Sequence, residues 1–269
     1  MALLLLLTVG SAETFSFRGI GEPWPTPGRW FSQTVRRHAT THLHKTPGGA
    51  LAENVGDKQL ESEKLVQRVL KLVDDRSGRW LPIVTRGRCK VWLLKEPDSP
   101  HACILAKGVI DASAPKVYDL FAKTERAGEF NEYCAQCVDI ERLDYNTKVS
   151  WSVTKSFGNG LFKPRDFVTL CHFAKLRDGS KCVVNTATTH RAKPENPRFQ
   201  RAEVILAANI VKPLGADKTH LTLLTSVNPR GALDNCVCAR IMNQIIKRSP
   251  VAFFNSVERA AMKTRLVEA

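Results

Sequence analysis

The sequence predicts an α+β fold in which an antiparallel sheet of about nine strands packs on a long C-terminal helix. Nine short runs of apolar or alternating residues are separated by turn-forming residues, as is typical of strands that neighbour one another in a sheet. Only three segments have helical periodicity, one at each end of the predicted domain and one among the strands. The last of these carries an apolar stripe that requires a sheet to lie on.

The elements follow one another without long gaps. Apolar residues recur at helical spacing from Lys58 to Asp75, and Ser77-Gly78 ends this amphipathic helix. Ser113 can cap the second helix, which has Pro115 in its first turn and is expected to end near Gly128. The predicted strands are Trp80 to Thr85, Lys90 to Leu94, Cys103 to Asp111, Val138 to Leu143, Lys148 to Lys155, Asp166 to Lys175, Lys181 to His190, Arg201 to Lys212 and Thr219 to Asn228.

The predicted terminal helix runs from Asn235 to Lys263. Pro250 has no amide hydrogen and crowds the preceding turn, so we expect a kink or a break near Arg248 to Ser249. Burial of five or six side chains of its stripe stabilises docking by about 1.5 to 3 kcal/mol each. The stripe comprises Val237, Ile241, Met242, Ile245, Ile246, Phe253, Phe254, Val257, Ala260 and Ala261.

Length and charge limit the classes of partner. The 269 residues suit one domain of about 200 residues with extensions. The net charge is +14, of which residues 1–52 contribute +3 and the remainder +11. Such a surplus favours anionic partners, although it is also compatible with a merely soluble basic surface. The basic residues are scattered and form no zinc-finger or RNA-recognition pattern, so we expect no nucleic acid partner.

Residues 1–52 are predicted to be a targeting or disordered segment, with the folded domain at residues 53–269. Ala2 to Val9 is an apolar run too short to span a membrane, and Gly10-Ser11-Ala12 resembles a signal-peptidase site. Thr14 to Ala50 is poor in acidic residues, as transit peptides are. This combination is similar to the bipartite presequences of algae with secondary plastids and indicates a plastid or secretory destination. A disordered tail, with the protein in the cytoplasm, is the alternative.

The eight cysteines do not predict a metal site. Cys134 and Cys137 form a C-x-x-C pair, and Cys236 and Cys238 follow about a hundred residues later, whereas a structural zinc site pairs two compact knuckles. Buried thiols are the main interpretation, and a redox pair at Cys134 and Cys137 is the alternative. No cofactor is expected.

Four motifs in series resemble the START family of lipid-transfer domains over roughly residues 58–265. They are Pro164-Arg165-Asp166-Phe167-Val168, Arg201-Ala202-Glu203, Lys212-Pro213-Leu214 and Leu221-Thr222-Leu223-Leu224. The resemblance implies a helix-grip fold, in which a curved sheet and the C-terminal helix enclose a tunnel for one lipid. It implies binding and transfer of a phospholipid, a sterol or another apolar lipid by a monomer, without catalytic residues.

The resemblance also assigns candidate ligand-binding residues to the sheet and the terminal helix. Alternation along Lys148 to Lys155 places three hydroxyls on one face, which either orients a lipid hydroxyl or carbonyl or faces solvent. Sterol-binding START domains pair an acid with an arginine in the tunnel, and those positions fall at Ser152 and Cys171, so a sterol held in that way is not expected. The candidates are Ser150, Ser152, Thr154, Phe167, Cys171, Thr188, Leu223, Thr225, Ile241, Met242, Ile245 and Phe253.

Two further segments are implied to act at the membrane. The loop from Ser156 to Lys163 stands where the family has its gating loop, with Gly158, Gly160, Leu161 and Phe162 as candidates, although an ordinary flexible hairpin is the alternative. Lys247 and Arg248 belong to a basic terminal segment predicted to contact an anionic membrane transiently, unless it is a solvated helix face.

Enzymes are the alternative class, because related helix-grip folds include aromatases and cyclases that act on polyketides. A lipid-responsive regulatory or interaction module is a third possibility. Catalysis requires a tuned acid or base in the cavity, and the strand candidates do not form a nucleophile-base set. We expect the Arg165-Asp166 pair to fix a loop, and His190 to be a hydrogen-bonded strand-end histidine. The candidates considered were His172, His190, Asp166 and Glu203.

Overall fold

The structure, a computed structural model, describes residues 55–85, 87–95, 101–156, 162–231 and 249–263. The predicted targeting segment at residues 1–52 lies outside them. Within them, the helices are α1 (Val55–Val73), α2 (Ala114–Ala122), α3 (Ala127–Phe130) and α4 (Ser249–Lys263), with a 3-10 turn at Thr124–Arg126. The strands are β1 (Leu81–Val84), β2 (Cys89–Leu94), β3 (Cys103–Ile110), β4 (Cys134–Arg142), β5 (Thr147–Thr154), β6 (Arg165–Lys175), β7 (Lys181–Ala187), β8 (Gln200–Arg201), β9 (Glu203–Pro213) and β10 (Thr219–Asn228).

One sheet contains all ten described strands in the order β1-β2-β3-β10-β9-β7-β6-β5-β4, and neighbours along this path are antiparallel. β8 pairs in parallel with the first residues of β6. The predicted α+β helix-grip fold is confirmed. The predicted strand Arg201 to Lys212 is divided at Ala202, because Arg201 pairs with β6 whereas Glu203 begins pairing with β10.

The predicted second helix is shorter than expected. It starts after Ser113 with Pro115 in its first turn, but it ends at Ala122 and is followed by the 3-10 turn and α3. β4 starts at Cys134, four residues before the predicted strand. Its two register shifts, between Cys134 and Gln136 and between Asp139 and Glu141, obscure the alternation that sequence patterns rely on.

The inner face of the sheet is the face that packs against α2, α3 and α4. Phe253, Phe254 and Val257 of α4 are buried there with apolar residues of β2, β3, β9 and β10. Phe253 also contacts Phe121 and Phe130, with ring centroids 6.4 and 5.7 Å away. Burial of these aromatic rings contributes about 1.5 to 3 kcal/mol each and fixes α4 on the sheet.

A close approach and an ion pair hold α4 at β3. A Cβ added to Gly108 would lie 2.7 Å from the Phe254 ring and 2.6 Å from the Arg88 carbonyl oxygen, so only glycine fits under the helix. Glu258 of α4 accepts hydrogen bonds from the Arg88 guanidinium and from the Asp111 amide, the latter at 2.8 Å. The far end of α4 is therefore tied to the strands as well as packed on them.

The outer face of the sheet is covered in part by α1. Val66, Val69 and Val73 are buried against strands β7, β9 and β10. Lys107 of β3 donates from Nζ to the Val73 carbonyl oxygen at 3.0 Å and so caps the end of α1. A second outer cluster surrounds Trp151 on β5 and β6.

Candidate functional site

Strand alternation brings polar side chains onto the inner face of β5. Ser150, Ser152 and Thr154 are 5%, 5% and 1% exposed, so they do not form the solvent face that the sequence left open. Ser150 Oγ lies 2.9 Å from Thr169 Oγ1 and 3.2 Å from Cys171 Sγ on β6. Thr154 Oγ1 accepts the Arg165 amide at 2.9 Å. The three hydroxyls are therefore buried on the inner face, and that of Thr154 is already engaged by a backbone amide.

Two asparagines that the sequence reasoning missed extend this polar region across the sheet. Asn185 of β7 pairs in register with Cys171 on one side and with Ala207 on the other. Asn185 is 5% exposed, and its side-chain amide nitrogen has no hydrogen-bond partner in the part of the chain that the structure describes. Asn209 of β9 is opposite Val183 on the same face. Asparagine is unfavourable inside strands, and this was the available signal.

An unpaired buried amide costs about 1–3 kcal/mol unless something else satisfies it. Around Asn185 the neighbouring groups are hydroxyls, a thiol and apolar side chains, none of which is charged. The arrangement can donate a hydrogen bond to an uncharged oxygen of a ligand while burying the remainder of that ligand against apolar residues.

The nearest charge on this face is already engaged. Lys148 of β5, opposite Cys171, donates from Nζ to the Ala122 carbonyl oxygen at 3.0 Å, to Thr124 Oγ1 at 2.6 Å and to Asp139 at 3.0 Å. Because an ammonium group has three hydrogens to donate, these contacts use all of them. An ion pair therefore exists at this edge of the inner face, at positions that sequence reasoning did not consider, but it joins β4 and β5 to the end of α2.

The apolar candidates lie in the inner cluster. Phe167, Leu223 and Phe253 are each at most 2% exposed and belong to it, and Thr225 is buried on the same face of β10. Phe162 packs against this cluster where the chain enters β6. The remaining candidates lie outside the described residues; these are Gly158, Gly160, Leu161, Ile241, Met242, Ile245, Lys247 and Arg248.

Thr188 does not join this group. Its amide donates to the Val168 carbonyl oxygen at 3.0 Å, just beyond the end of β7. Val168 belongs to the outer cluster around Trp151, so the alternation of the strands carries Thr188 to the outer face as well. This placement gives no support to Thr188 as a ligand-binding residue, and its role stays a prediction.

The motif residues make structural contacts on both faces of the sheet. By strand alternation Asp166 faces outward, whereas Arg165, two residues before Phe167, faces inward. Asp166 accepts from Arg201 Nε at 3.0 Å, from Arg201 Nη2 at 2.8 Å and from Trp151 Nε1 at 3.1 Å. Arg165 donates from Nη1 to the Lys163 carbonyl oxygen at 2.6 Å, and burial lowers the pKa of its guanidinium to about 10. The expectation that Arg165 and Asp166 fix a loop agrees with these contacts.

The residues considered for acid-base chemistry are dispersed. His172 lies on the outer face, where Thr147 Oγ1 is 3.0 Å from its Nδ1, and burial lowers its pKa. His190 Nε2 is 2.8 Å from Glu141 at the surface, and Glu203 pairs with Arg230 at 2.9 Å. None of these three, nor Asp166, reaches the polar region around Asn185.

Cysteine and metal chemistry add nothing to the site within the described residues. Cys103, Cys171 and Cys182 are buried free thiols, and burial raises the pKa of Cys182 to about 12. Cys134 and Cys137 are half-buried free thiols, whereas Cys236 and Cys238 lie outside the described residues. That part of the chain contains no group of three or more His, Cys, Asp or Glu side chains placed to hold a metal. It also contains no helix with the length and apolarity needed to cross a membrane.

Comparison with known proteins identifies the family. Residues 60–265 match the model of the START domain. The chain is 28% identical to the mitochondrial steroidogenic acute regulatory protein of Gallus gallus over 233 residues, covering 84% of this chain and 79% of that one. It is 27% identical to the corresponding human protein over 244 residues, covering 87% and 81%.

Solved structures share the fold. Human StAR-related lipid transfer protein 5 superposes with a TM-score of 0.71 at 20% identity, covering 78% of this chain and 99% of that one. Human STARD10 superposes with a TM-score of 0.63 at 20% identity, covering 71% and 77%. Since the family model spans well over half of the sequence and the sheet and terminal helix have the same arrangement, the chain belongs to the START domain family.

Proposed function

We propose that this protein binds one lipid between the inner face of its sheet and the C-terminal helix, and transfers that lipid between membranes without changing it chemically. The observation that carries the proposal is the inner face itself. Apolar side chains such as Phe167 and Leu223 surround a buried, uncharged polar region with an unpaired amide at Asn185. A lipid with a polar group can accept a hydrogen bond from the Asn185 amide and bury its hydrocarbon against these apolar side chains.

The lipid we propose has an uncharged polar group, either a hydroxyl or a carbonyl. Ser152 and Cys171 stand where sterol-binding START domains have an acid and an arginine, and Lys148 is engaged by three acceptors. The other buried cation of this face, Arg165, lies six residues before Cys171 on β6 and donates to the Lys163 and Pro229 carbonyl oxygens. A phosphate placed beside Asn185 would therefore meet no available cation among the described residues there, and its desolvation would be uncompensated. A neutral group can be held by Asn185 and the neighbouring hydroxyls.

Native mass spectrometry of the protein purified from its own cells tests the binding directly. We expect one lipid per chain, with a neutral polar group. A protein that arrives without lipid, and that accepts none from mixed vesicles, would contradict the proposal. Transfer is tested by the exchange of labelled lipid between donor and acceptor vesicles, with heat-unfolded protein as the control.

The loop from Ser156 to Lys163 is proposed to gate the site. Phe162 reaches the inner cluster at one end of this loop, and Arg165 lies below it with its guanidinium 5.9 Å from the Phe162 ring. A disulfide that tethers residues 157–161 to the C-terminal helix should slow lipid exchange, and reduction should restore it. Equal lipid exchange rates in the oxidised and reduced forms would show that the loop does not gate the site.

The basic C-terminal segment is proposed to hold the site against an anionic membrane. Glu258 is paired with Arg88, so it does not offset the neighbouring basic residues. Each basic residue near an anionic bilayer contributes on the order of 1 kcal/mol, and salt screens this attraction. Binding to vesicles should require anionic lipid, weaken in high salt, and fall when Lys247 and Arg248 are both changed to Glu. Equal binding to neutral vesicles would contradict this role.

A further inference from the structure

A second concave surface lies on the outer face of the sheet, where α1 leaves the strands uncovered. We call it the outer groove. Its volume is about 1380 Å³. One wall is α1 from Glu63 to Val73, with Asp74 directly after it, and the other is the turn between β6 and β7 from Lys175 to Ser180. The floor is formed by the outer-facing residues of β3, β9 and β10, with Ile210 and Thr222 among them.

The rim of the outer groove is basic. Five exposed cations stand on it, and none of their side chains makes an ion pair or a hydrogen bond with the part of the chain that the structure describes; they are Lys64, Arg68, Lys71, Lys175 and Arg177. The acidic lining residues are Glu63, Asp74 and Asp178, and Asp178 is already paired with Lys212 at 2.9 Å. Basic lining residues outnumber acidic ones by seven to three, so the groove carries a net positive charge that an acidic partner can offset.

Two lysine ammonium groups, those of Lys107 and Lys212, also lie at the floor of the groove near His220. Burial lowers the pKa of His220, and the nearby ammonium groups of Lys107 and Lys212 lower it further. His220 is consequently neutral near pH 7, and the surplus comes from lysine and arginine alone.

The shape and the apolar part of the lining narrow the choice of partner. Val66, Leu70, Ala174, Leu176 and Ile210 line the groove between the cations. Small-molecule sites have volumes of about 300–1,000 Å³, so this groove is larger than a small ligand requires. A bilayer presents a broad flat surface and cannot reach a floor that lies between a helix and a turn. A polypeptide segment can, and the lining calls for acidic residues at its edges and apolar residues on one face.

The outer groove lies on the opposite face of the sheet from the lipid candidates and far from the proposed lipid exit. The β6–β7 turn is at the end of β6, whereas the loop at residues 156–163 precedes its start. The eleven residues of β6 span roughly 33 Å at the usual rise of a strand. The groove is on the outer face and the lipid candidates are on the inner face. Occupation of the groove therefore leaves the proposed lipid exit accessible.

We propose that the outer groove docks an acidic, amphipathic segment of a partner protein, about three helical turns long to match the eleven α1 residues from Glu63 to Val73. Such docking tethers the protein to its partner while the opposite end of the sheet exchanges lipid at a membrane. The basis of the proposal is the match of that segment to a rim of cations unpaired within the described residues and to the apolar side chains between them.

The test uses the full chain and a synthetic amphipathic helix of Leu and Glu about three turns long. A matched peptide has Gln in place of every Glu. Fluorescence anisotropy should show binding of the Glu peptide that weakens with salt, and weak or no binding of the Gln peptide. Lys71→Glu combined with Arg177→Glu should weaken binding of the Glu peptide by about tenfold or more, since rim charges facing an oppositely charged partner become repulsive.

The control is Arg191→Glu combined with Arg198→Glu, which makes the same change of charge in the exposed loop after β7, at the other end of the sheet. It should bind the Glu peptide as the parent protein does. Both variants should retain the parent circular dichroism spectrum, and the groove variant should also retain the parent lipid exchange rate. Equal loss of peptide binding in the two double variants would show only non-specific attraction and would overturn the proposal. So would a groove variant that binds the peptide normally but no longer binds anionic vesicles, because the groove would then be a membrane contact.

Discussion

Breaking the ion pair between Asp166 and Arg201 should destabilise the fold strongly without changing the lipid site. The Asp166 side chain is 2% exposed and that of Arg201 is 13% exposed, and two hydrogen bonds of 3.0 and 2.8 Å join them. Removal of one partner from a buried ion pair leaves the other charge uncompensated, at a cost of about 3–5 kcal/mol. Asp166→Ala also leaves the Trp151 indole N–H without its acceptor.

For a domain of this size, each kcal/mol lowers the melting temperature by about 2–4 °C, so the expected decrease is roughly 6–20 °C. Urea unfolding followed by tryptophan fluorescence and by circular dichroism measures the free energy of unfolding. A double-mutant cycle with Arg201→Ala separates the pair from its surroundings, and the expected coupling energy is about 2 kcal/mol or more.

A coupling energy below about 1 kcal/mol, the value of an exposed pair, would refute this reasoning. The lipid exchange rate per folded molecule provides the control. Asp166 lies on the outer face beside Trp151, so exchange measured well below the melting temperature should match that of the parent protein. A loss of exchange in the folded variant would place Asp166 in the lipid site instead.

Three further predictions concern the inner face and α4. Asn185→Leu should raise the free energy of unfolding of the lipid-free protein by about 1–3 kcal/mol, because it removes an amide that is unpaired within the described residues. The variant should nevertheless retain less lipid in native mass spectrometry, and a destabilised variant that keeps its lipid would contradict this. Lys148→Met should lower the free energy of unfolding by about 1.5–3 kcal/mol, since three hydrogen bonds from a charged donor are lost, and an unchanged urea midpoint would contradict it. Burial opposes ionisation of Glu258, but the Arg88 guanidinium and the Asp111 amide outweigh it and lower the pKa of the carboxyl group. The stabilising contribution of Glu258 is therefore complete above the unfolded pKa of about 4.3 and is lost as the pH falls through the lower folded value. Glu258→Gln should make the free energy of unfolding less dependent on pH in that range. Parallel pH profiles of the parent protein and the variant would contradict this.

Several features of the fold follow from local pattern. The apolar residues Phe253, Phe254 and Val257 recur at helical spacing, and the structure buries that stripe on the sheet. The alternation along β5 separates Ser150 and Ser152 from Val149 and Trp151 in any sheet. Period-2 and period-3.6 patterns depend only on the geometry of one element, so they can be read without knowing its neighbours.

The site itself depends on relations between elements. Alternation divides β5 into two faces but does not say which lies on the inner side of the sheet, and only the packing of other elements decides that Ser150 and Ser152 are buried. Asn185 meets Cys171 because of the register between β6 and β7, and a shift of one residue would turn it to the outer face. Lys148 is unavailable to a ligand because its ammonium group donates to the Ala122 carbonyl oxygen and the Thr124 hydroxyl, which lie outside β5.

The sequence by itself determined the class of fold, the order of most elements, the apolar stripe of α4 and the motifs that identify the family, because each is encoded in residues close together in the chain. Only the tertiary structure decided that Arg201 pairs with Asp166 rather than with Glu203, and that five cations without an ion pair to the described residues surround the outer groove. These outcomes depend on strand register and on the angle at which helices cross the sheet. Both are determined by the packing of side chains that are distant in sequence, and no local pattern contains that information.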